Sequence, residues 1–216
     1  MQVQAVSVAD AVGDALRARL LAGHYPGGTL LRDTELAVEF GVARPTVRAA
    51  VAELVSDGLL ERGRGQSARV RSFTAEDALD LYRLRRPVEA AAVEIVLREG
   101  RSTDGIAAAA RDFTALPADA GWDQVADAHS AFHRAVFEAA GSPRLLRAFD
   151  ALAAETRLLV AQLRPAYDRI ADLAAEHEAL LTALRRGDLA AALAAWSDHF
   201  DDSERFFTHF TKERAL

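Results

Sequence analysis

The sequence predicts a mainly helical protein with an N-terminal winged helix-turn-helix domain and a C-terminal all-helical bundle of about six helices. Two short helical segments are joined by a three-residue link that contains glycine, and an alternating segment follows over residues 59–72. After Thr74 the chain shows helical periodicity without a strand pattern. We therefore expect a DNA-binding domain over residues 1–72 and a helical domain over residues 76–216.

The first domain is predicted to contain three helices followed by a hairpin. Apolar residues recur at helical spacing from Val8 to Ala22, and the helix breakers "GHYPGG" follow. "DTELAVEF" predicts a short helix with Asp33 as its N-cap, and "RPTVRAAVAELVSDG" predicts a second helix with Pro45 in its first turn and Gly58 at its end. "LLERGRGQSARVRS" alternates around a glycine-containing turn, which predicts a two-stranded hairpin.

Composition limits the function classes. The net charge is -6, but the excess acid lies after residue 72: residues 1–72 carry nine arginines against eight acidic residues. Without cysteine, a disulfide framework and thiolate metal ligands are both excluded, so a bound metal would need nitrogen or oxygen ligands. The chain has neither a long apolar run nor the pattern of a signal peptide, so we expect a cytoplasmic protein with no membrane partner.

The basic residues that suit DNA lie in the second helix and the hairpin. Arg44, Thr46 and Arg48 fall in the first turn of the predicted recognition helix, where side chains contact base edges in the major groove. Arg64 lies at the hairpin tip between two glycines, within reach of phosphates or the minor groove. The alternative is a solvated basic helix face beside an ordinary hairpin.

The stretch "LLRDTELAVEFGVARPTVRAAVAELVSDGLLERGRGQSARV" resembles the N-terminal signature of the GntR family of bacterial transcription regulators, over roughly residues 8–71. The resemblance implies that Arg44, Arg48 and Gly65 occupy DNA-contacting positions. Ala43 departs from the pattern, because a helix-capping serine is common at that position. Since one winged helix reads few bases and two-fold dimers are the commonest assembly, we expect a homodimer on a palindromic double-stranded DNA operator.

Four of the six histidines can come together. "HSAFH" places His129 and His133 four residues apart, on one face of a helix. The pair Gly187-Asp188 predicts a helical hairpin, with His177 ten residues before the glycine and His199 twelve after it. At equal distances from the turn, these two histidines can meet. From the residues alone, a metal site and a set of core histidines both remain possible.

Residues 76–210 resemble FCD, the all-helical ligand-binding domain of the FadR branch of the GntR family, and about six helices resembles its VanR-type subgroup. In metal-binding members one aspartate and three histidines converge on a divalent ion. Those positions map onto His129, His133, His177 and His199, and His129 replaces the usual aspartate. Four imidazoles favour zinc, nickel or copper over manganese, so we expect zinc or nickel.

The resemblance also implies an effector site. Arg85 and Glu89 in "RLRRPVEAAA" match a family Arg-x-x-x-Glu pattern whose arginine points into the effector cavity. The alternative is an exposed intrahelical ion pair. The implied function is a metal-containing regulator, more often a repressor in this family, whose operator binding responds to a small carboxylate metabolite.

Two rival functions use the same histidines. A metal-dependent hydrolase is one, but no residue is evidently placed as base or nucleophile, and Ser130 stands where a zinc peptidase helix requires glutamate. The other is a purely structural metal site, because four protein ligands can close a tetrahedral shell.

Overall fold

The structure is a computed structural model that describes residues 7–63, 65–162 and 169–214, with side chains described except at 162 and 206–214. The chain forms two compact units, Met1–Ser72 and Phe73–Leu216. Within the described residues the first unit holds three helices and three short strands, and the second holds six helices. The predicted fold class, a winged helix-turn-helix followed by a helical bundle, is confirmed.

The first unit begins with a capped helix and ends with a small sheet. The Ser7 side chain accepts from the Asp10 backbone N–H, and the Asp10 carboxylate accepts from the Ser7 backbone N–H, which starts the first helix. In chain order the elements are α1 (Val8–Leu21), β1 (Leu30–Leu31), α2 (Asp33–Phe40), α3 (Arg44–Ser56), β2 (Leu60–Glu61) and β3 (Ala68–Val70).

The two helices of the helix-turn-helix are α2 and α3. Gly41 ends α2 in the left-handed conformation, with φ of 65°. The helix α3 has Pro45 in its first turn, and Ala43 occupies its N-cap position without a side-chain hydrogen bond. The inner face of α3 is fully buried and packs on α1, so the polar residues of its first turn face outward.

The predicted cap at Asp33 is wrong. Arg32 holds the N-cap position of α2 and Asp33 is the first helical residue. The Asp33 carboxylate instead pairs with Arg62, which follows β2. A carboxylate in the first helical turn still interacts favourably with the helix dipole, so the residue suits this position without capping.

The sheet has one strand more than predicted. Its order is β1-β3-β2, all antiparallel, with Leu30 opposite Arg69 and Leu60 opposite Val70. The pair β2 and β3 forms the predicted hairpin. The extra strand, β1, has two residues, which is too short to produce an alternating pattern.

The second unit contains six helices within the described residues. The first begins at Thr74, whose hydroxyl accepts from the Asp77 backbone N–H in a capping box. Among the described helices none is both long and apolar enough to cross a membrane. In chain order they are α4 (Ala75–Arg98), α5 (Asp104–Thr114), α6 (Trp122–Ala140), α7 (Pro143–Gln162), α8 (Ile170–Arg185) and α9 (Leu189–Arg214).

Tight turns determine how the helices around the centre of this unit follow one another. Gly187 has φ of 75°, and the Asp188 carboxylate accepts from the Ala191 backbone N–H, so α8 and α9 form the predicted hairpin. Gly141, with φ of 66°, ends α6 before α7. The buried faces of α4, α6, α8 and α9 meet in the core.

Candidate metal centre and nucleic-acid interface

Four buried histidines lie together in the helical unit. His129 and His133 come from α6, His177 from α8 and His199 from α9, and one ring nitrogen from each lies within 4.8 Å of the others. Their residues are between 0 and 8% exposed. The structure thus brings together the four residues that the sequence singled out.

Local sequence explains this convergence. The buried face of α6 carries His129 and His133 one turn apart beside Phe132. The hairpin of α8 and α9 places the rings of His177 and His199 with centroids 5.0 Å apart. The rings are buried in the core among aromatic side chains and beside a buried charged residue of α4.

Two of the rings bring ring nitrogens into direct contact. The His177 Nδ1 lies 2.7 Å from the Leu173 carbonyl, which can only accept, so Nδ1 carries the proton. The His133 Nδ1 lies 2.7 Å from the Glu89 carboxylate and must donate likewise. Both Nε2 atoms then present lone pairs to each other at 3.2 Å. In neutral rings this contact is repulsive unless the two nitrogens share a proton or a metal ion.

The outer contacts of the other two histidines are weaker. The His129 Nδ1 is buried and has no hydrogen-bond partner among the described residues. The His199 Nδ1 lies 3.8 Å from the Glu176 carboxylate, and that side chain is partly exposed. A buried polar atom without a partner is costly, and this nitrogen can be the one that His129 offers to an ion.

The electrostatics keep the cluster uncharged. Burial lowers the pKa of all four histidines. Repulsion from neighbouring rings lowers the pKa of His129, His177 and His199 further, and the pKa of His199 falls to about 3. Neutral imidazole is the form that ligates metals. The Nε2 separation of 3.2 Å is close to the edge of a tetrahedral zinc site, about 3.3 Å for bonds of 2.0 to 2.1 Å. The residues present therefore fit a divalent metal ion.

Arg85 and Glu89 lie against this cluster in α4. Their side chains are 3 and 2% exposed, so the alternative of an exposed pair is wrong. The Arg85 Nε and Nη2 donate to Glu89 Oε1 at 2.9 and 2.6 Å, and the guanidinium lies 5.3 Å from the centroid of the Phe200 ring. Burial would raise the pKa of Glu89, but Arg85 and His133 bring it down to about 2. The carboxylate is ionised.

Sequence reasoning missed the contact between Glu89 and His133. The two residues are 44 positions apart, and only the Arg-x-x-x-Glu spacing marked Glu89 at all. That spacing indicates a pair on one helix face and carries no information on which face is buried.

The candidate DNA-contacting residues lie in the first unit. Arg44 and Arg48 are exposed and Thr46 is half-buried at the start of α3. Within the described residues, neither arginine has an ion pair, whereas Arg62 is held by Asp33. Gly65 has φ of 73°, a conformation that side-chain-bearing residues rarely adopt. Arg64 lies outside the described residues.

The comparisons with known proteins agree with this architecture. Residues 80–202 match the family described as "FCD domain", and residues 8–70 match "Bacterial regulatory proteins, gntR family". The chain is 29% identical over 194 residues to the probable D-xylose utilization operon transcriptional repressor of Paenarthrobacter nicotinovorans, which covers 89% of this chain and 85% of that protein.

Two solved structures share the fold. McbR/YncC of E. coli has a TM-score of 0.73 at 20% identity, covering 95% of this chain and 99% of that one. A putative GntR transcriptional regulator from Rhodococcus sp. RHA1 has a TM-score of 0.73 at 24% identity, covering 92 and 96%. At these identities the likeness establishes a common fold.

Proposed function

Because the chain belongs to the GntR family of bacterial regulatory proteins and carries an FCD domain, we propose that it is a metal-containing repressor controlled by a small carboxylate metabolite. It is a DNA-binding transcriptional regulator and not an enzyme, since both family matches and the Paenarthrobacter relative are regulators. The hydrolase alternative is therefore set aside. That relative is named as a repressor, which supports repression over activation for this chain.

The observation that carries the proposal is the buried contact between the two Nε2 lone pairs of His133 and His177. We infer that these two residues, with His129 and His199, hold one divalent ion. An all-nitrogen donor set favours zinc or nickel. When bound, such an ion supplies a Lewis-acid centre that attracts anions.

The charges around the centre favour an anionic effector. Four neutral imidazoles bring no negative charge, and Glu89, a buried carboxylate beside them, is already balanced by Arg85. A divalent ion buried there lacks compensating charge, which a carboxylate ligand would supply. Arg85 can assist, because among the described residues the structure records no partner for its Nη1 nitrogen.

A further unpartnered donor suits a small polar ligand. The Trp196 Nε1 is buried without a hydrogen-bond partner among the described residues, and it lies one turn before His199 on the buried face of α9. A bound metabolite with an acceptor oxygen would satisfy it. A ligand that engaged both Trp196 and the ion would distinguish a sensory site from a purely structural ion with a closed shell.

Metal analysis and thermal unfolding test the proposal. Chelator-treated protein reloaded with zinc or nickel should hold close to one ion per chain and unfold at a higher temperature, because the ion binds the folded state. His177→Ala should lose both effects, while His24→Ala, which changes an exposed loop histidine, should keep them. Wild-type protein that stays well under half loaded contradicts the metal site.

A second series separates sensing from structure. The metal-loaded and metal-free proteins are each heated with a panel of mono- and dicarboxylates. For a sensory site at least one carboxylate should raise the unfolding temperature of the metal-loaded form alone, and should change operator affinity in a band-shift assay. A stable ion with no response to any carboxylate would favour the structural site.

We also propose that Arg44, Thr46 and Arg48, with the hairpin residues Arg64 and Gly65, contact DNA. The exposure of Arg44 and Arg48 at the start of α3 supports this. Two copies of the chain would then read a palindromic operator.

A further inference from the structure

Glu89 occupies an unusual position, because it joins the histidine cluster to a helix that contributes no histidine to it. It lies on α4 and is 1% exposed. Its Oε2 lies 2.7 Å from the His133 Nδ1, and its Oε1 accepts both hydrogen bonds from Arg85. One carboxylate oxygen therefore contacts His133 and the other contacts Arg85, so the orientation of the carboxylate group is fixed.

This geometry determines which nitrogen of His133 faces the centre. A carboxylate only accepts, so His133 must carry its proton on Nδ1. The Nε2 lone pair is then directed at the His177 Nε2, 3.2 Å away. Without such a contact a neutral imidazole can adopt the opposite tautomer, which would present an N–H to the centre and block ligation.

His133 depends on this contact more than the other histidines depend on theirs. The Leu173 carbonyl on the same helix holds His177, and helix geometry alone brings that carbonyl within reach. The outer contact of His133 instead crosses from α6 to α4 and is made by a buried charge. Such outer carboxylates raise the basicity of a ligating histidine and orient its ring.

We propose that Glu89 is a positioning residue of the metal centre, which sets the tautomer of His133 so that Nε2 can ligate the ion. This inference rests on the proposed metal site. The competing explanation is that Glu89 serves only to neutralise Arg85 within the core.

Zinc affinity of a near-isosteric variant is the first test. In Glu89→Gln the amide oxygen can still accept from Arg85, but the amide N–H₂ then faces His133 and forces its proton onto Nε2. Competition with a chromophoric chelator should show zinc binding weakened about 10- to 100-fold. Glu94→Gln, which alters an exposed pair with Arg98 on the same helix, should bind zinc as the wild type does. Glu89→Asp keeps a carboxylate and should recover part of the affinity.

The tautomer itself is measurable. Two-bond ¹⁵N–¹H correlation spectra of the chelator-treated wild type should show His133 protonated on Nδ1, and Glu89→Gln should reverse this to Nε2. If Glu89 served only to neutralise Arg85, Glu89→Gln would leave the tautomer of His133 unchanged. The wild-type spectrum requires no variant, so the test stands even if Glu89→Gln fails to fold.

The outcomes separate this inference from the proposal beneath it. If wild-type protein binds no zinc, the metal site fails and the inference falls with it. If the wild type binds zinc tightly but the glutamine variant binds it within twofold, the metal site stands and the role of Glu89 is overturned. A wild-type His133 protonated on Nε2 would overturn that role as well.

Discussion

At the scale of single residues, the function depends on which polar groups have partners. In the helical unit, the Nε2 lone pairs of His133 and His177 face each other, and the His129 Nδ1 has no partner among the described residues. In the DNA-binding unit, Arg44 and Arg48 are exposed with no recorded ion pair in the described part of the chain. The buried groups cost stability unless a ligand engages them. The exposed arginines are hydrated by water and available to DNA phosphates and base edges.

The arginines of α3 give the first prediction. Arg44→Ala and Arg48→Ala should each weaken specific operator binding by about 1 to 3 kcal/mol, since each loses a contact with a base edge. The effect should be smaller on non-specific DNA. Fluorescence anisotropy at fixed salt measures both affinities. The control is Arg98→Ala, which removes an exposed positive charge from the helical unit and should leave both affinities unchanged. An unchanged footprint for the double variant would refute the recognition-helix assignment.

The buried histidines give a prediction on pH. In the metal-free protein their pKa values are lowered by burial, while in the unfolded chain they return to about 6.5. The unfolded state therefore takes up more protons below pH 6.5, and stability that is present above this pH is lost as the pH falls toward the folded values. Each histidine protonated only in the unfolded chain contributes about 1.4 kcal/mol per pH unit.

Denaturant unfolding of chelator-treated protein at pH 7.5 and 5.5 measures this dependence. His24→Ala should leave it unchanged, because that side chain is exposed. Burial raises the pKa of Glu176 to about 7, and proton uptake by the folded state at that carboxyl opposes the histidine effect in this pH range. The comparison is therefore made in Glu176→Gln, where equal free energies of unfolding at the two pH values would contradict a neutral histidine cluster.

At the scale of elements, the sequence predicted the turns and helix ends that depend only on neighbouring residues. The glycine after α2, the proline in α3 and the Gly187-Asp188 turn each act within a few residues, so the helix-turn-helix and the α8–α9 hairpin followed from the sequence. The strand β1 did not, because two residues carry no periodicity and only the pairing of Leu30 with Arg69 makes them a strand. Asp33 was misassigned for a similar reason, since its partner Arg62 is 29 residues away.

The missing cap of α3 gives an element-scale prediction. Ala43 has the extended backbone of an N-cap residue, with φ of -69° and ψ of 145°, but no side chain that can accept from the first turn. Ala43→Ser should stabilise the first unit by about 0.5 to 2 kcal/mol without changing its fold. The opposite change is Thr74→Ala, which removes an existing cap from α4 and should destabilise the second unit by a similar amount.

Hydrogen exchange of the amides in the first turn of α3 would report the cap directly. Protection should increase in Ala43→Ser, because the serine oxygen satisfies an amide that otherwise bonds to water. If protection and stability both stay at wild-type values, a water or a DNA phosphate is the natural partner of these amides and the cap brings no gain.

At the scale of the whole molecule, contacts between distant residues decide what the sequence leaves open. Spacing and family resemblance singled out four histidines, but the contact of Glu89 with His133 joins α4 to α6 across 44 residues and has no local signature. The same holds for Arg86, which donates to Ser197 and pairs with Asp201 and Glu204 of α9. Both contacts involve α4, the first helix of the helical unit.

The assembly gives the last prediction. A single α3 with two exposed arginines covers few base pairs. A two-fold dimer doubles the contacts with DNA, and the ratio of specific to non-specific affinity is then squared. We expect a dimer by light scattering at micromolar concentration and one dimer per palindromic operator, with half-sites about 10 base pairs apart or a multiple of that spacing. Changing the spacing by about half a helical turn should abolish tight binding, because the second α3 would face away from the groove. A monomer that binds one half-site as tightly as the full operator would refute the dimer. Metal or carboxylate could then change operator affinity only within one chain, since no second copy would be present to be repositioned.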